Sequence, residues 1–176
     1  MKTLEELKSV NGILVGPHDL KGSDITSLPE GTKIVEKDLF LQLSKINSLP
    51  ETLKLVKGDL CLQGTDVDSL PEDLVVEGNL SIKNTKIPTL PKGLNVSKNI
   101  DATGTPLSLV SEGVMVGIDL DLRCTALGND SFPYPIYVGG DVYLPIEDVK
   151  GSRLVTLHRD SYVDGKVKKK TYLHDH

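Results

Sequence analysis

Gly58-Asp59-Leu60-Cys61-Leu62-Gln63-Gly64-Thr65-Asp66-Val67-Asp68-Ser69-Leu70-Pro71-Glu72-Asp73-Leu74-Val75-Val76 is followed, after Glu77, by Gly78-Asn79-Leu80-Ser81-Ile82-Lys83-Asn84-Thr85-Lys86-Ile87-Pro88-Thr89-Leu90-Pro91-Lys92-Gly93-Leu94-Asn95-Val96. The two stretches share one pattern, L-x-L-x-x-T-x-I-x-x-L-P-x-x-L-x-V. Its Leu-Pro step recurs at Leu28-Pro29, Leu49-Pro50, Leu70-Pro71 and Leu90-Pro91, with spacings of 21, 21 and 20 residues. Self-similarity at that period is the mark of a solenoid, in which each coil rests on the one before.

Within a unit the pattern is that of a strand that turns a corner. Leu60 and Leu62, like Leu80 and Ile82, alternate with polar neighbours at strand period. Leu74, Val76, Gly78, Leu80 and Ile82 keep one parity, which predicts an extended segment bent at the glycine. The parity breaks at Thr85 and Ile87, where the chain must turn. Each Pro forbids a helix through its position. One unit cannot close a core, but stacked units bury a continuous aliphatic stripe.

The pattern resembles the leucine-rich repeat, L-x-x-L-x-L-x-x-N/C-x-L, and within it the short Leu-Pro repeats of bacterial and phage proteins. The resemblance spans roughly residues 13–145. It implies a mainly β, right-handed solenoid of about six turns of 20–22 residues, with ligands bound on the outer face of the strands. Ser23, Ser44, Thr65, Thr85, Thr105 and Thr125 stand where that family has Asn. Their hydroxyls are expected to satisfy buried loop backbone in its place, giving a less regular horseshoe. The ligase domain that accompanies some bacterial effector repeats has no room in this chain, so its activity is not carried over.

The ends are less regular. In the first turn, Asp19 to Ile25 matches Asp59 to Val67 only after removal of two residues. Later turns keep Ile100/Ala102, Leu120/Leu122 and Val142/Leu144 but lose the Leu-Pro. Residues 1–12 read as a capping helix: Thr3-Leu4-Glu5-Glu6 forms a capping box, Leu4, Leu7 and Val10 share a face, and Asn11-Gly12 stops it. Residues 146–176 read as a hairpin cap, with strands Arg153–Val163 and Lys166–His174 about an Asp164-Gly165 turn. In that hairpin Asp160 would face Lys169, and Arg159 would face Lys170.

Composition agrees with a solenoid. Only seven of 176 residues are aromatic and none is Trp, so the core must be aliphatic. A net charge of −5 and a pI of about 5.4 argue against general nucleic-acid binding. No stretch approaches the roughly 18 apolar residues of a membrane span. Lys2 is followed by Glu5 and Glu6, and Ile13-Leu14-Val15 is a short apolar run, so no secretory signal is expected. Cys61 and Cys124 fall three turns apart, about 14 Å, beyond the roughly 7 Å a disulfide spans. Free thiols fit a cytoplasmic protein.

Three surfaces stand out. The residues before the first strand leucine form a column, Asp38, Asp59, Asn79, Asn99, Asp119 and Asp141. Such a column either hydrogen-bonds neighbouring backbone amides or forms an acidic strip for a basic partner. Beside it run Phe40, Cys61, Ser81, Asp101, Asp121 and Tyr143, then Gln42, Gln63, Lys83, Thr103, Arg123 and Pro145. By the resemblance this is the ligand face, with Phe40 and Tyr143 as anchors. Tyr134, Tyr137, Tyr143, Tyr162, Tyr172 and Phe132 concentrate in the last third, a second candidate interface or a cap.

Signs of catalysis are sparse. His158-Arg159-Asp160 matches the kinase catalytic triplet, without the downstream Asn, glycine loop or D-F-G. His158, His174 and His176 are the histidines a tail-borne metal site would use. Lys166–Lys170 is a basic patch on an acidic chain. The reading adopted is a non-catalytic protein-binding module without cofactor or metal, an inhibitor or adaptor encoded by a phage or bacterium and acting by occlusion. The alternatives are self-association through the tyrosine-rich end, as a homodimer, and a small enzyme using the tail histidines.

Overall fold

The computed structural model describes residues 7, 9–128, 130–145 and 157–169. They form an all-β solenoid of about seven coils, one more than the sequence suggested. Each coil gives a short strand to each of two long sheets. The first sheet has nine strands, from Ser9–Val10 and Ile13–Leu14 through Val75–Val76 to Tyr162–Val163; the second has eight, from His18–Asp19 to Val167–Lys169. Neighbouring strands are parallel, except that Ser9–Val10 pairs antiparallel with Ile13–Leu14. A third side is strand-like only at Thr89–Leu90 and Leu109–Val110. Each coil thus contributes to two long sheets, where a horseshoe has one.

The interior is a set of aliphatic columns. Leu14, Val35, Val56, Val76, Val96, Val116 and Val138 line it from the first sheet. Leu39, Leu60, Leu80, Ile100, Leu120 and Val142 face them from the second, with Leu41, Leu62, Ile82, Ala102, Leu122 and Leu144 two residues on. Each fully buried aliphatic side chain contributes about 1.5–3 kcal/mol relative to exposure. The Leu-Pro leucines form a further column that continues as Val110 and ends in Phe132, which is buried before Pro133. Phe132 is therefore core, not part of a sticky C-terminal surface.

The corner after the second sheet is built as the Ser/Thr column required. Ser44, Thr65, Thr85, Thr105 and Thr125 are buried, and each hydroxyl donates to the carbonyl three residues back at 2.6–2.8 Å. For Thr65, that acceptor is Leu62, which also receives the Thr65 backbone N–H. Ser23 is the exception, its Oγ lacking a partner. The residue before each hydroxyl has positive φ: Gly22, Leu43, Gly64, Asn84, Gly104 and Cys124. Glycine and asparagine tolerate that conformation, but Leu43 and Cys124 hold it at a cost of about 1–2 kcal/mol.

Both ends correct the sequence reading. The first coil has no deletion: Asp19 pairs with Phe40, so His18 occupies the buried leucine place of Leu39 and hid the repeat. Ser9–Val10 is a strand, not the last turn of a helix, and Asn11 and Gly12 have φ of 52° and 80°. Positive φ at both central residues suits the type I′ hairpin turn for which Asn-Gly is the preferred pair. Val10 points outward and is 61% exposed. The rest of the expected helix, residues 1–6 and 8, lies outside the described residues apart from Leu7, which is buried.

At the other end there is no hairpin about Asp164-Gly165. Tyr162–Val163 adds to the first sheet beside Tyr137–Val138, and Val167–Lys169 adds to the second beside Val142–Leu144, both parallel. Tyr162-Val163-Asp164-Gly165-Lys166-Val167 therefore repeats Val75-Val76-Glu77-Gly78-Asn79-Leu80 as another coil corner. The expected facing of Asp160 with Lys169 disappears with the hairpin. Lys170 lies outside the described residues, as does Tyr172.

Candidate functional site

The Asp/Asn column sits at the corner where the first sheet bends into the second, and it is a hydrogen-bond ladder. Asp38 Oδ1 accepts the backbone N–H of Asp59 at 2.8 Å, and Asp59 Oδ1 that of Asn79 at 2.7 Å. The ladder continues from Asn79 to Asn99, Asn99 to Asp119, Asp119 to Asp141 and Asp141 to Lys166. Asn79 and Asn99 each also donate through Nδ2 to the oxygen below. Asp38 and Asp59 thus serve neighbouring backbone amides, one of the two readings open from sequence.

The glycines preceding this column follow from the ladder. Gly58, Gly78, Gly140 and Gly165 each lie over an aspartate of the coil below, and a Cβ on any of them would collide with its Oδ1. Over the two asparagines stand Lys98 and Ile118, which have side chains. The amide bonds to Asp are 2.7–2.8 Å, those to Asn 3.3 and 3.0 Å. Glycine lets the carboxylate seat closely.

The outward face of the second sheet carries, in register, Asp19, Phe40, Cys61, Ser81, Asp101, Asp121, Tyr143 and Lys168. The expected column is therefore real and extends one coil at each end. Much of its charge is internally paired. Arg123 grips Asp121 through Nε and Nη2, the latter at 2.5 Å, and the carboxylate raises the guanidinium pKa further. Asp101 accepts from the backbone N–H and hydroxyl of Thr103. Tyr143 lies between Arg123 and Lys168, at 5.4 and 4.9 Å from its ring centroid. Lys168 bonds Asp141 at 2.5 Å and, with the Lys166 amide, holds that carboxyl below its ordinary pKa.

At the other end Lys21 lies 5.0 Å from the Phe40 ring. Leu43, 71% exposed, stands at the adjacent corner and covers the open side of Gly64. Asp101, Asp119, Asp121, Arg123 and Tyr143 line an open depression of about 410 Å³. Lys83 is half-buried beside Ser81 in the next outward column. Among the described residues no group of three or more His, Cys, Asp or Glu is placed to hold a metal.

The first sheet has an outward column that the sequence reading did not isolate. Val10, Ile13, Ile34, Leu55, Val75, Asn95, Met115, Tyr137 and Tyr162 lie in register along its nine strands. Eight of the nine are apolar or aromatic. Met115, Tyr137 and Tyr162 are 44%, 47% and 52% exposed. The two tyrosine rings stack at 5.1 Å and 10°, and Asp164 raises the Tyr162 pKa. Its signal in the sequence is the residue before the inward residue of each first-sheet strand, apolar or aromatic in every coil but that of Asn95.

The remaining candidates separate. Tyr134 is exposed on the connection before the Tyr137 strand, whereas Tyr143 belongs to the other sheet. Cys61, half-buried on the second face, and Cys124, exposed at a corner, are both free thiols. His158, Arg159 and Asp160 form a surface turn, with the Asp160 amide donating to His158 Nδ1 at 3.2 Å. His174 and His176 lie outside the described residues.

The fold defines the class, a parallel β-solenoid of stacked coils. Comparison with known protein families, with curated proteins and with solved structures finds no match to this chain.

Proposed function

We propose that this solenoid is a non-catalytic protein-binding module of the leucine-rich-repeat, Leu-Pro type, acting as an inhibitor or adaptor that occludes its partner. The observation that carries the reading is the second sheet's outward face. It sets Phe40 and Tyr143 at two ends of a wall with Asp101 and Asp121 between them. Aromatic anchors beside charged groups on a stiff surface are the composition of an interface hot region. Arg123 grips Asp121, Thr103 bonds Asp101, and Arg123 and Lys168 flank the Tyr143 ring, so these side chains lose little ordering entropy on binding. Phage or bacterial origin and a cytoplasmic setting belong to the same proposal, resting on the Leu-Pro repeat.

The test is a pull-down from bacterial lysate comparing the wild type with a Phe40→Ala/Asp101→Lys/Asp121→Lys variant of matched thermal stability. A protein retained by the wild type and lost by the variant supports this face as the site. Equal retention moves the site off the second sheet. Absence of any specific protein removes the support for a binding module in that lysate.

A further inference from the structure

Stacking alone does not explain the apolar face of the first sheet. In-register columns form equally well from mixed residues, as the second sheet shows with Asp19, Ser81, Asp121 and Lys168. Ile13, Ile34, Leu55 and Val75 are partly exposed and Val10, Met115, Tyr137 and Tyr162 more fully so, a continuous apolar strip that carries a solvation cost unless something covers it.

We propose that the cover is a second copy of the chain, packed face to face with its solenoid axis reversed and related by a twofold axis along the strand direction. The column is graded in size, aliphatic at its N-terminal levels and Met or Tyr at its C-terminal levels. Reversal sets large against small: Ile34 meets Tyr137, Leu55 meets Met115, and Val75 meets Asn95 at the centre. The flanks agree. On one side Glu36, Lys57 and Glu77 meet Gly139, Gly117 and Ser97; on the other Lys33 and Lys54 fall opposite levels whose matching residues, Ile136 and Val114, are buried, so no charge stands against them. No like charges oppose each other.

The unreversed twofold, along the solenoid axis, is worse on both counts. It stacks tyrosine on tyrosine at one end and isoleucine on isoleucine at the other, leaving a wedge, and brings Lys57 of one copy against Lys54 of the next. The eight parallel levels span about 34 Å, and a strip about 15 Å wide includes the flanks. That offers on the order of 500 Å² per partner, below the ~800 Å² of a standard interface, so the dimer is weak and concentration-dependent.

Sedimentation velocity across a concentration series tests the surface, using the wild type and a Leu55→Lys/Met115→Lys variant. The wild type is expected to dimerise and the variant to weaken the dimer at least ~100-fold, because each copy brings two unpaired ammonium groups into the contact. A wild type that stays monomeric, or a dimer untouched by the variant, overturns the proposal. Cross-linking tests the orientation without depending on how those variants fold. In a Cys61→Ser/Cys124→Ser background, Leu55→Cys chains mixed with Met115→Cys chains should cross-link to each other, while neither does so alone. Leu55→Cys linking to itself instead overturns the reversed arrangement. The Phe40→Ala/Asp101→Lys/Asp121→Lys variant should still dimerise, so this inference and the partner-binding reading fail separately.

Discussion

The two long sheets of this solenoid are built from the same coils, in the same parallel register, on the same aliphatic core, yet their outer faces share almost nothing. The first presents Ile, Leu, Val, Met and Tyr; the second presents Asp, Ser, Cys and Lys with a ring near each end. Inward residues are fixed by packing, because a slip of one residue would turn each strand's apolar side chain out to water. Outward residues carry no such constraint. The difference between the faces therefore reports on what each meets rather than on how the coil closes. Where the second face is charged, the charges are tied down, Asp121 to Arg123 and Asp141 to Lys168. Exposed pairs of this kind add at most about 1 kcal/mol each, so their main effect is to fix geometry.

The corner between the faces is where the comparison is easiest to break. A Cβ on Gly78 would lie 2.6 Å from the Gly58 carbonyl carbon and 2.7 Å from the Asp59 nitrogen. Gly78→Ala must push two coils apart at the bend joining the sheets, at about 3 kcal/mol of overpacking and strain. Thermal or urea unfolding should show that loss. Lys98→Gly, the reverse change over an asparagine, should cost less than about 1 kcal/mol, since only the glycine's added chain freedom opposes it. Equal losses at both positions would mean that the aspartate beneath does not dictate the glycine.

That corner also shows what the sequence made legible. Leu60/Leu62, the Thr column and Leu-Pro were enough for coil, period and core, because the inward pattern is strict. The same strictness failed where one residue departed from it. His18 in a leucine place misaligned the first coil, and Tyr162-Val163-Asp164-Gly165 looked like a hairpin because Asp-Gly is the stronger local cue. Local turn chemistry pointed to a reversal; the next coil, contacts 25 residues away, decided otherwise. The face of the first sheet was missed for a different reason: an outward apolar residue adjacent to an inward one breaks the alternation that marks a half-buried strand.

A smaller effect is expected from the ladder itself. Asp59 Oδ1 accepts both the backbone N–H and the side-chain amide of Asn79. Asp59→Ala leaves a half-buried N–H without an acceptor, worth about 2 kcal/mol. Asp59→Asn keeps an acceptor and removes one of two stacked carboxylates, so its cost should stay below about 0.5 kcal/mol. Urea denaturation of both variants reads the difference. Similar losses would show that charge, not the hydrogen bond, is what the column supplies.

The smallest effect sharpens the comparison at the last coil, where the second face is held by charge and the first by stacked rings. Lys168 and the Lys166 amide depress the Asp141 carboxyl below its ordinary range. Its unfolded counterpart titrates near pH 4, so the unfolded chain takes up the proton first as pH falls. The contribution of this contact is therefore complete above about pH 4 and lost as pH falls through the lower folded value. Amide exchange at Val142, whose N–H donates to the Lys166 carbonyl, should accelerate over that acid window, while Asp164, whose N–H donates to the Val138 carbonyl beside the tyrosine stack, should not follow it. Asp141→Asn keeps an acceptor for the Lys166 amide but removes the titrating charge, so the acid step at Val142 should disappear. An acid step of the same size in that variant would place its origin in some other carboxylate and leave the last coil held by packing alone.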